Sequence, residues 1–146
     1  MKPGVAVALT ACAGGLVAMQ APINSKLGKA VGTFAAASIS FLIGTAILLA
    51  ITAVSGAEVK LSGASGLAWY YFTGGLLGAA YVTTVLVSVR TLGAGGVTAA
   101  TIAGQLSTAV VLDRVGAFGL AQKPITIGRL VGVALLAAGV FLVVRE

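Results

Sequence analysis

Five long apolar stretches, at about 4–23, 32–54, 67–89, 96–112 and 125–144, alternate with gaps that hold most of the charged residues. A hydrocarbon core about 30 Å thick takes about 20 apolar residues to cross as a helix. Five such spans use up nearly the whole chain and leave no room for a soluble domain. The pattern predicts an all-α membrane protein: one transmembrane domain over residues 1–146, made of five transmembrane helices.

The elements follow from the punctuation. Helix 1 is expected from Gly4 to about Pro22, which removes a backbone donor and disturbs the last turn. Asn24 to Lys29 reads as a short basic loop. Helix 2 begins near Gly32, and Ser55 to Gly66 is a polar connection rich in Gly and Ser. Trp69-Tyr70-Tyr71-Phe72 opens helix 3, where an aromatic cluster suits the headgroup boundary. Helix 3 ends at Arg90, before a turn at Gly93-Ala94-Gly95-Gly96. Helix 4 ends at Asp113-Arg114, and helix 5 starts after Lys123-Pro124. Gly74 with Gly78, and Gly128 with Gly132, stand at the four-residue spacing that lets helix backbones approach closely in lipid, within one chain or between two.

Composition supports the membrane reading. Hydrophobic residues make up 59% of the 146 and charged residues 8%, with a mean hydropathy of +1.12; a soluble domain would carry about a quarter charged. The net charge of +6 is spread too thinly for a nucleic-acid surface and suits anionic lipid headgroups. Leu9-Thr10-Ala11-Cys12 looks like a lipoprotein processing site. The apolar run before Cys12 is short for a signal peptide, and the chain stays apolar beyond it, so an uncleaved first helix is expected. The lone cysteine cannot form a disulfide within the chain, and the absence of histidine removes the commonest general base and metal ligand.

Charge also bears on orientation. With five spans, the face of the N-terminus collects Lys2, Lys60, Arg114, Lys123 and Arg129, and the other face Lys26, Lys29, Arg90 and Arg145. The positive-inside rule needs a clear excess on one face, and none exists. Either subtler cues choose one orientation, or the chain inserts both ways and two copies pair antiparallel. The balance favours dual topology, since inverted pairs are a common transporter architecture.

Polar groups inside spans are costly and tend to be functional. Gln20 and Asn24 share a helix face if the helix persists past Pro22. Thr101, Gln105 and Thr108 form a stripe ending near Asp113, and Tyr81 lies too deep for the interfacial belt. Together they could line a polar cavity. The alternatives are interhelical hydrogen bonding for Gln and Thr, packing for Tyr81, and a solvated pair of Asp113 with Arg114. No Asp, Glu or His lies in the centre of any span, which argues against proton-coupled export of a simple cation. No nucleophile–base pair, metal cluster or phosphate loop is present, so neither catalysis, a cofactor nor a metal is expected.

These residues carry a resemblance. Gly15-Leu16-Val17-Ala18-Met19-Gln20-Ala21-Pro22-Ile23-Asn24 resembles the first-helix motif of the YdcZ-type family of small bacterial inner-membrane proteins, in the drug/metabolite transporter superfamily. Phe41-Leu42-Ile43-Gly44-Thr45 is similar to its second helix, and Gly74-Gly75-Leu76-Leu77-Gly78-Ala79-Ala80-Tyr81-Val82 to its third. Gly104-Gln105-Leu106, with Asp113, Gly116 and Gly119, is similar to its fourth helix and loop. Arg114 departs from the pattern after the aspartate. The resemblance implies half of a ten-helix bundle, completed by a second copy or a paralogue, and export of small molecules. It places Gln20, Asn24, Tyr81, Gln105 and Asp113 on the family's polar motif positions.

The expectation is therefore a dimeric secondary transporter of small organic molecules in the inner membrane, working by alternating access. Gln20, Asn24 and Gln105 would hydrogen-bond the substrate, Tyr81 would stack on it, and Asp113 would gate or couple. The other readings are a lipid flippase and a non-transporting membrane subunit.

Overall fold

The computed structural model describes residues 1–145. They form four long helices and no strand: α1 (Pro3–Val31), α2 (Thr33–Val54), α3 (Gly74–Val115) and α4 (Ile127–Arg145). All four are long and apolar enough to cross a membrane. Leu16, Leu42, Leu48, Leu76, Leu135 and Phe141 are each more than 60% exposed, as expected of side chains that face lipid.

Three boundaries differ from the sequence reading. The basic segment Asn24–Lys29 is helix, not loop, because α1 continues through Pro22 to Val31. Ala21, Asn24, Ser25 and Gly28 explain this. They fall at i, i+3, i+4 and i+7 on one buried face, so packing holds the last two turns despite the proline. Trp69–Phe72 does not open the third helix. These residues form a separate 3₁₀ turn, with Trp69 edge-on to Tyr70 and the Tyr70 and Tyr71 ring centroids 4.6 Å apart, and α3 starts at Gly74. Finally, Gly93–Gly96 is not an open turn. Gly93 alone leaves helical geometry (φ 67°, ψ 173°), and most of the residues expected in the third and fourth spans fall in the single element α3, on either side of this kink. That backbone region is accessible in practice to glycine only.

The contacts divide the chain into two compact units. One comprises Met19–Arg90; the other comprises Met1–Ala18 and the residues from Thr91 onward. The central unit has its core where α1, α2 and α3 meet: Ala36, Ala37, Val82 and Leu86 are buried together, with Leu27 and Tyr81 against them. Gly28 makes the close approach possible, since a Cβ there would lie 2.8 Å from Leu86 Cδ2 and 3.6 Å from Ala36 Cβ. Gly78 similarly accepts the Phe41 ring, at 3.2 Å from its would-be Cβ. In the terminal unit, Val97 and Val110 of α3 are buried. Gly95 and Gly96 receive Val143 and Val144 of α4. A Cβ at Gly74 or Gly132 would meet nothing within 4 Å, and one at Gly128 would reach only Thr126, one turn-start away on its own segment.

Candidate functional site

The sequence-chosen polar residues fall in both units. In the central unit, Asn24 is 7% exposed and its Nδ2 donates to Ser40 Oγ on α2 at 3.2 Å. A buried amide in lipid needs such a partner, and this bond uses one of its two donors. Gln20 lies one turn earlier on α1 and is exposed. Tyr81 is half-buried against the core cluster. Its ring packs there.

In the terminal unit, Gln105 is exposed on the second arm of α3. Asp113 pairs not with its neighbour Arg114 but with Arg129, one turn into α4, at 3.1 Å from Nη2 to Oδ2. The two side chains are 29% and 28% exposed, so the pair is partly withdrawn from solvent. Arg129 Nη1 is buried without a partner. The loop between the helices is pinned to the same residue, because Lys123 N donates to Asp113 O at 2.9 Å. Gln122 Nε2 also donates to Val115 O. An arginine inside an apolar stretch is costly unless neutralised, and Asp113 supplies that charge.

Sequence reading left two residues out of the site. One is Arg129, counted only as a boundary charge. Its position four residues inside the apolar stretch 125–144 was the available signal, since a charge there calls for a partner. The other is Arg90, read as the end of a span. Its Nε donates to Ser25 Oγ at 3.4 Å and its Nη2 to Thr33 Oγ1 at 3.2 Å, so one guanidinium ties α1, α2 and α3. The terminal unit also holds a cleft of about 500 Å³, lined by Ala18, Thr98, Ile102, Leu136, Gly139 and Val143 among others. Thr98 is the one side chain of these that carries a hydrogen-bonding group.

Helices of this length, apolar on nearly every face, with polar groups and one ion pair set among them, define a multi-pass helical membrane protein. The family model described as "Putative inner membrane exporter, YdcZ" matches residues 5–142. The chain belongs to this family and is a protein of the inner membrane. No curated protein and no solved structure matches it.

Proposed function

We propose that the protein is a secondary transporter that exports small organic molecules by alternating access. Two compact units joined through weakened helices support this reading. The chain passes between the units twice, at Ala18–Met19 and at Arg90–Thr91. Each crossing lies within a turn of a break in the helical hydrogen-bond ladder. Pro22 has no N–H to donate to the Ala18 carbonyl, and Gly93 leaves the helix altogether. Compact units connected by such points are suited to the rocking motion by which alternating access is achieved in transporters.

The 42 residues of α3 would extend about 63 Å as one helix, twice the hydrocarbon thickness. We read its arms on either side of Gly93 as two spans, which gives five in all. With an odd number of spans and cations divided almost evenly between the faces, the working unit is a pair of copies in opposite orientation, in the manner of the drug/metabolite transporter superfamily. A paralogue could take the place of the second copy. Gly74, Gly128 and Gly132, open within the chain, are the small residues available to that contact. Gln20 and Asn24 in the central unit and Gln105 in the terminal unit are the hydrogen-bonding groups offered to substrate, Tyr81 offers an aromatic surface, and the Asp113–Arg129 pair gates.

The test is a thermal-shift screen of small organic ions and neutral metabolites on the purified protein, followed by proteoliposome uptake of each hit. Uptake that requires the protein and falls in Gln105→Ala and Asn24→Ala variants supports the reading. Stabilising compounds with no protein-dependent uptake would contradict it and favour a non-transporting subunit.

A further inference from the structure

The cations of this protein are unequally answered. Asp113 faces Arg129 within the terminal unit. In the central unit Glu58 is the one acid, and it pairs with Lys60 at 3.4 Å, beyond the C-terminal end of α2. Arg90 lies at the other end of α2, where Thr33 begins the helix, about 30 Å away along the axis. The one carboxylate of the unit is therefore out of reach of Arg90, whose bonds go to neutral hydroxyls.

Those bonds orient the group and leave most of its capacity free. A guanidinium has five N–H donors in a fixed fork, and two are engaged here. The Ser25 and Thr33 hydroxyls accept from Arg90, so the hydrogen of each remains available to a further acceptor. The head is seated over Gly28, where a Cβ would lie 3.1 Å from Nη2. Lys29, in the last turn of α1, adds a second positive charge at the same end. One turn before Gly28 in α1 stands Asn24, with one amide hydrogen beyond its bond to Ser40. A positioned fork flanked by two hydroxyls is the donor set that recognises a carboxylate or phosphate.

We propose that Arg90, with Ser25 and Thr33, binds the anionic oxygens of the transported molecule, which makes the substrate a small organic anion. This inference rests on the transporter reading above and gives it a substrate class. It also accords with the lack of any acid in the central part of a span, which a carrier of cations would need.

The experiment is calorimetric titration of the full-length protein in nanodiscs of zwitterionic phosphatidylcholine. The probes are benzoate and inorganic phosphate, with tetraphenylphosphonium as a cation control. At least one anion is expected to bind the parent, and Arg90→Gln to weaken it by about tenfold or more. Arg90→Lys, which keeps the charge at the helix junction, should recover part of the affinity, and Thr33→Val should lose a few-fold. Tetraphenylphosphonium should show no dependence on Arg90. A second arm replaces the soluble anions by increasing fractions of phosphatidylglycerol. Absence of anion binding to the parent, or equal binding to Arg90→Gln, would overturn the proposal. So would Arg90-dependent stabilisation by phosphatidylglycerol alone, which would assign the site to a lipid headgroup. Benzoate binding without benzoate uptake in proteoliposomes would leave the anion site standing and refute transport.

Discussion

Gly28 is the position where a single methyl group tests the packing of the central unit. In a Gly28→Ala variant the new Cβ would sit 2.8 Å from Leu86 Cδ2 and 3.1 Å from Arg90 Nη2, against an ordinary contact distance near 3.5–4.0 Å. Leu86 is 1% exposed and walled in by Ala36, Ala37 and Val82, so its methyl has nowhere to turn. Overpacking of this kind costs about 1–3 kcal/mol, more than offsetting the 0.5–1 kcal/mol, roughly, that alanine ordinarily gains over glycine in a helix. The same substitution at Gly14, where a Cβ would meet nothing within 4 Å, should carry only the helix gain. Thermal denaturation of both variants in one detergent gives the comparison. Gly28→Ala should melt below the parent and Gly14→Ala at or above it. A Gly28→Ala variant as stable as the parent would refute the close approach of α1, α2 and α3.

Three further outcomes follow from the units and their joints. Pro22→Ala restores the donor to Ala18 and should raise thermal stability while lowering transport in proteoliposomes, whereas Gly93→Ala strains the backbone by about 1–3 kcal/mol and should lower both. Truncating Asp113 or Arg129 to alanine should each cost about 1–3 kcal/mol, between the values for exposed and buried pairs, and a double-mutant cycle read by denaturation should show the two losses to be strongly non-additive. Reporters fused to the C-terminus, one active on each side of the membrane, should both give signal; activity on one side only would rule out dual topology.

Much of the architecture was legible because hydropathy is a local property. The second and last apolar stretches coincide with α2 and α4 to within about two residues at either end. The errors lie where tertiary contact overrides local signals. Pro22 and the basic run behind it read as an ending, yet a buried face of small residues carries α1 on for nine residues more. The glycines after Gly93 read as a turn, but two of them are helix surface for Val143 and Val144. The polar residues were legible and their pairings were not. Asn24 was read at the start of a loop, yet it is buried in helix, and nothing local indicates its partner Ser40. Arg90 meets partners 57 and 65 positions away in sequence, and no periodicity encodes such a contact. The Asp113–Arg129 pair could have been inferred by asking which acid neutralises the one arginine set within an apolar stretch.

Cysteine accessibility tests alternating access without knowledge of the substrate. Native Cys12 is replaced by serine and Gln20 by cysteine, and sealed vesicles are treated with a membrane-impermeant maleimide from one side at a time. If the protein alternates, labelling from either side alone proceeds to completion. A fixed conformation in two orientations would stop at about half from each side, and a closed bundle would not label at all; either result would contradict the account.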